Sequence, residues 1–141
     1  MKLLLLSHGS FVDGIKDSYR MIVGDDSNLF SVNLADDGIG PFTKKVHSLL
    51  DELTETEQVL VLTDVKGGTP FNVALAYQLE NPNKIAVVSG MNLPMLMEIG
   101  MQVEYEDNLE DLSISAIEIG KEGISRSDFL GDESLDDDFE L

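Results

Sequence analysis

Two nearly unbroken apolar runs, Lys2–Leu6 and Gln58–Thr63, constrain this chain more than any other feature of it. A strand with one wet face alternates apolar and polar residues. A run that is apolar at every position must be covered on both faces, which is the situation of a central strand in a parallel sheet. Two further runs, Phe30–Leu34 and Lys84–Ser89, also read as strands. Helical stripes lie between and after the runs. Val12, Ile15, Tyr19, Ile22 and Val23 share one face, and so do Phe42, Val46, Leu49, Leu50 and Leu53, with Pro41 at the helix start. Phe71, Ala74, Leu75 and Leu79 form a third stripe opened by Pro70, and Leu109, Leu112, Ala116 and Ile119 a fourth, with Asn108 and Asp111 spaced as a capping pair. Strands alternating with helices predict an α/β fold built on a parallel sheet with right-handed crossovers.

A length of 141 residues suits one domain with a proper core. No stretch reaches 18 uninterrupted apolar residues, and the start of the chain runs straight into a strand rather than a secretory signal. With no cysteine there are no disulfides, thiolate metal sites or cysteine nucleophiles. The expectation is a cytoplasmic protein. Its net charge of −18 is unevenly spread: residues 1–103 hold 13 acidic against 7 basic side chains, and residues 104–141 hold 14 against 2. Such a surface repels nucleic acid and anionic lipid, so neither is an expected partner. Residues 125–141, rich in Ser, Asp, Glu and Gly, read as an acidic tail following a domain of residues 1–124.

In open α/β sheets, ligands bind beyond the carboxyl ends of the strands. His8 stands there, in Ser7-His8-Gly9-Ser10 after the first run. Asp64 directly follows the third run and opens the segment DVKGGTPFN, residues 64–72. If those two strands are neighbours, the imidazole and the carboxylate meet. The carboxylate then holds the proton on Nδ1 and leaves Nε2 as a nucleophile. Gly67 and Gly68 allow close approach of a ligand to the backbone, and Thr69 is expected to cap the helix that Pro70 begins, at an N-terminus suited to phosphate. Ser10 reads as a cap of the first helix, with Asp13 three residues on, and His47 as a residue on a solvated helix face. Met91, Met95, Met97 and Met101 read as packing and dimer surface. No His, Asp and Glu spacing suggests a metal, and no cofactor is implied.

Ser7-His8-Gly9, the run DVKGGTPFN at 64–72 and the run SGMNLPML at 89–96 together resemble the signatures of the IIA domain of mannose-family sugar phosphotransferase systems, over roughly residues 1–124. The resemblance implies that His8 takes a phosphoryl group from phospho-HPr and passes it to a IIB partner, which serves the membrane subunits IIC and IID. It implies further that Asp64 orients His8 and that the Thr69 hydroxyl lies near the phosphate. Gly67 and Gly68 belong to the same phosphoryl site. An open four-stranded sheet of order 2-1-3-4 with helices on both faces is implied, as is a homodimer that exchanges a C-terminal strand, near Ile124–Leu130 here. Where the family often carries Trp this chain has Lys66, which either helps hold the phosphoryl group or is a solvated surface lysine. The chain ends in its acidic tail rather than a linker to IIB, so IIB is expected as a separate polypeptide. Other readings are the phosphocarrier subunit of a dihydroxyacetone kinase, which shares the fold and the N-terminal Ser-His, a regulatory domain controlled by histidine phosphorylation, and a hydrolase using His8 and Asp64, which lacks an obvious nucleophile.

Overall fold

The structure, a computed structural model, describes residues 1–128 of the chain. Four parallel strands form one sheet: β1 (Lys2–His8), β2 (Leu29–Leu34), β3 (Val59–Thr63) and β4 (Ile85–Val88), in the order β2-β1-β3-β4. Five helices complete the described chain: α1 (Phe11–Ile22), α2 (Ile39–Leu53), α3 (Thr69–Glu80), α4 (Leu93–Gln102) and α5 (Leu109–Glu122). The two most apolar runs occupy the two central positions, and Leu3 to Leu6 and Val59 to Leu62 are all fully buried.

Alternation along a strand sends successive side chains to opposite faces. Leu3, Leu5, Leu60 and Leu62 face α1, α4 and α5, meeting Val12, Tyr19, Leu96, Ile99 and Leu112. Leu4, Leu6, Val59 and Val61 face α2 and α3, meeting Phe42, Val46, Leu50, Ala74 and Tyr77. A fully buried leucine contributes about 1.5–3 kcal/mol, so these eight strand residues anchor both layers.

Two elements depart from expectation. The spacing predicts no helix over residues 93–102, yet α4 is there, with the Asn92 side chain accepting from the Met95 N–H and Pro94 in the first turn. Met91 and Met95 are core residues, whereas Met101 is 47 % exposed. In α3 the expected stripe is rotated: Pro70, Ala74 and Tyr77 are buried, while Leu75 and Leu79 are exposed. The reason is Tyr77, whose ring fills the space beside α2 while its hydroxyl donates to Asp51 Oδ1 at 2.8 Å. That pairing turns the leucines outward. His47, expected on a solvated face, instead packs its ring edge-on to Tyr77 at 5.4 Å between centroids. Residues 124–128 adopt no regular secondary structure, and the rest of the candidate exchanged segment, with most of the acidic tail, lies outside the described residues.

Candidate phosphoryl-transfer site

His8 is the last residue of β1, and Asp64 is the first after β3. The register pairs Leu6 with Thr63, so the two strands release these residues side by side at their carboxyl ends. Asp64 Oδ2 accepts from the His8 backbone N–H at 2.9 Å and lies 2.8 Å from His8 Nδ1. Asp64 Oδ1 accepts from the Val65 N–H at 2.8 Å. The carboxylate side chain is 11 % exposed and the imidazole 50 %, so one is enclosed while the other looks outward. Burial pushes the Asp64 carboxyl up, but the hydrogen bonds from the His8 N–H, the His8 ring and the Val65 N–H outweigh it, and the group stands below its ordinary value. Asp64 is therefore an anion at neutral pH. An anion facing Nδ1 holds the ring proton there and leaves the Nε2 lone pair free.

The loop after Asp64 approaches the ring from the other side. Gly67 adopts a left-handed conformation, φ +80°, which only glycine takes without strain. Gly68 faces the imidazole so closely that a methyl group on its α-carbon would sit 2.8 Å from His8 Cε1 and 3.5 Å from Nε2. Gly68, not Thr69, occupies the cap position of α3; Thr69 is the first helical residue and Pro70 follows. The expected Thr69 cap is thus corrected, because Gly68 already holds the extended backbone that a cap position needs. No side chain caps this helix, so its first-turn N–H groups keep the unpaired character that attracts anions. Lys66 is exposed and makes no hydrogen bond or ion pair among the described residues.

Ser10 does not cap α1 through its side chain. Ser7 does that work: its buried Oγ accepts from the Val12 N–H at 2.9 Å and donates to the Gly9 carbonyl at 3.2 Å, tying down the turn that carries His8. The signal for it was present, a serine ahead of the first apolar helical position, but sequence spacing favoured the nearer serine. His47, on α2, lies against Tyr77 of α3 and takes no part in the site. Phe11, 48 % exposed, borders a groove of about 670 Å3 shared with Ile15, Met91 and Leu93. Among the described residues no cluster of His, Asp and Glu stands close enough to hold a metal, and no helix is long and apolar enough to cross a membrane.

Comparison with known proteins gives a consistent picture. A family model described as "PTS system fructose IIA component" matches residues 2–117. The fructose-specific EIIA component of Bacillus subtilis is 34 % identical over 100 residues, covering 70 % of this chain and 68 % of that protein. The mannose-specific EIIAB component of Escherichia coli is 28 % identical over 119 residues; the match covers 84 % of this chain but only 36 % of the longer protein. Among solved structures, phosphotransferase system component EIIA from Streptococcus agalactiae superposes with a TM-score of 0.78 at 36 % identity, over 89 % of this chain and 95 % of that one.

Proposed function

Since the chain belongs to the EIIA-man family of phosphotransferase-system components, we propose that it is a phosphocarrier that accepts a phosphoryl group on His8 Nε2 from phospho-HPr and passes it to a IIB partner during sugar uptake. The observation that carries this reading is the 2.8 Å contact between His8 Nδ1 and the anionic Asp64, which leaves an exposed Nε2 lone pair. That lone pair forms the new P–N bond as the P–N bond in the donor breaks, and the donor nitrogen leaves with its electron pair. The ring now bears a proton on Nδ1 and phosphorus on Nε2, and hence a positive charge. Asp64 stabilises that charge where it develops, without reorganising. The open N-terminus of α3, with Gly67, Gly68 and the Thr69 hydroxyl, receives the phosphoryl oxygens.

Transfer between two proteins needs a surface as well as a nucleophile. The groove beside Phe11, three residues after His8 in the chain, offers apolar area for a protein partner to cover. The family favours sugar transport over the dihydroxyacetone kinase reading. We place the protein in the cytoplasm, acting with the IIC and IID membrane subunits through IIB, and as a homodimer.

Incubation with enzyme I, HPr and phosphoenolpyruvate tests the assignment. One acid-labile phosphoryl group per chain is expected, present in His47→Ala and absent in His8→Ala. Label on His47 or on a serine, or none on the wild type, refutes it.

A further inference from the structure

Among the described residues the His8 ring makes one hydrogen bond, from Nδ1 to Asp64, and that bond by itself leaves a half-exposed ring free to swing about it. The opposite edge of the ring, Cε1 and Nε2, has Gly68 as its wall. How firmly that wall stands depends on the loop from Asp64 to Gly68, whose pivot, Gly67, is the residue type least able to hold its own conformation. Within the loop the Gly68 N–H donates to the Val65 carbonyl at 3.2 Å. Two further ties come from the first turn of α3: the Asn72 backbone N–H donates to the Gly68 carbonyl at 2.9 Å, and the Asn72 side chain donates from Nδ2 to the Gly67 carbonyl at 3.1 Å, next to the pivot itself.

We propose that Asn72 is a positioning residue for phosphoryl transfer: by holding the Gly67 carbonyl it fixes Gly68 against the imidazole and so aims His8 Nε2. The inference rests on His8 being the phosphoryl acceptor. Asn72 suits the task because its amide supplies a donor while its exposed position costs little desolvation. A carboxylate of the same shape would turn an acceptor toward the Gly67 carbonyl and repel it. A shift of the reacting nitrogen by a fraction of an ångström is enough to slow transfer, since misplacement by about 1 Å costs on the order of a hundredfold.

Two readouts on the full chain, carrying 15N-labelled histidine, test this: the His8 ring-nitrogen NMR signals, and the rate of transfer from phospho-HPr. Asn72→Ala should slow the saturated step about 5- to 50-fold, with the half-saturating HPr concentration little changed. The His8 ring signals should move from a single Nδ1–H tautomer toward an average, with the thermal midpoint preserved. Asn72→Gln, which keeps the donor, should recover part of the rate; Asn72→Asp should be as slow as the alanine variant. Gly68→Ala crowds the ring directly and should perturb the same signals. Wild-type rate and ring signals in Asn72→Ala overturn the proposal, as does full activity in Asn72→Asp or a loss confined to HPr affinity. The ring signals need no phosphoryl donor. If His8 proves not to be the acceptor, the functional reading fails while the NMR comparison still decides whether Asn72 orders the ring.

Discussion

At the scale of single residues, Asp64 does two jobs with one carboxylate. It meets the His8 ring at Nδ1, and it closes the end of β1 and the start of the loop by accepting from the His8 and Val65 backbone N–H groups. Asp64→Asn keeps the shape but replaces one acceptor oxygen by a donor. Whichever way the amide is turned, one of these N–H groups faces another donor. Transfer to His8 is therefore expected to fall about ten- to a thousandfold, a rise of about 1.4–4 kcal/mol in the barrier, and the thermal midpoint should fall as well. A normal rate in a folded Asp64→Asn protein removes Asp64 from the mechanism. The stability difference has a definite pH sign. Asp64 is depressed in the folded chain, so its contribution is present above the unfolded carboxyl value, near pH 4, and is lost as pH falls through the lower folded value. The gap in stability between wild type and Asp64→Asn should therefore narrow as pH falls below about 4; a gap that does not narrow in acid contradicts the assignment. Lys66 contrasts with Asp64, being exposed and unpaired among the described residues. Lys66→Ala should leave the transfer rate and its salt dependence unchanged in stopped-flow measurements. A slower, less salt-sensitive rate would instead place its charge at the phosphoryl group.

At the scale of elements, α1 and α4 meet at a contact that depends on a missing side chain. Gly100 of α4 lies against Tyr19 of α1, and a methyl group there would come within 2.5 Å of the Tyr19 hydroxyl and 2.7 Å of its ring carbon Cζ. Tyr19 is 1 % exposed and packed in the core between α1 and α4. Gly100→Ala should cost about 1–3 kcal/mol as an overpacked core, read as a lowered denaturation midpoint with His8 phosphorylation intact; an unchanged midpoint would mean the helices slide apart without cost. This pair also marks what the sequence could and could not disclose. All four strands were legible to within two residues because their apolar runs are short, dense and separated by turns. His8 and Asp64 were legible because strand ends in this architecture share one rim. α4 was hidden because its buried side, Met95, Leu96 and Ile99, is flanked by further apolar residues, Leu93, Met97 and Met101, that blur the stripe; Asn92 followed by Pro94 was the available signal. In α3 apolar residues lie on every side, so periodicity alone could not say which face is buried, and the Tyr77 contact with Asp51 decided it. The strand order came from the resemblance rather than from any pattern in the residues.

At the scale of the whole molecule, the outer edge of β4 is the open question the fold poses to a second copy. β4 pairs only with β3 among the described strands, leaving a row of backbone donors and acceptors that invites another strand. A groove of about 510 Å3 is lined by Ile85 and Ala86 of β4, Gln78 of α3 and Ser113 of α5, together with Gln58 and the start of α5. Next to it α3 exposes Leu75 and Leu79, the latter by 75 %, and α5 exposes Ile114 and Ile117 by 47 % and 44 %. Apolar residues on both sides of an unpaired edge are the surface that strand exchange near residues 124–130 would cover. The expected result is a homodimer by light scattering at micromolar concentration. Removal of residues 131–141 should leave the dimer and His8 phosphorylation intact, whereas removal from residue 124 onward should give monomers. Ile117→Asp should weaken association about ten- to a hundredfold, following the 1.5–3 kcal/mol of a buried aliphatic side chain. Each chain carries a net charge of −18, so joining two of them works against repulsion. Added salt should therefore tighten the dimer, the reverse of what an interface held by ion pairs would do. A monomer at all salt concentrations sinks the assembly while leaving the His8 site standing, since none of the site contacts described above comes from a second chain.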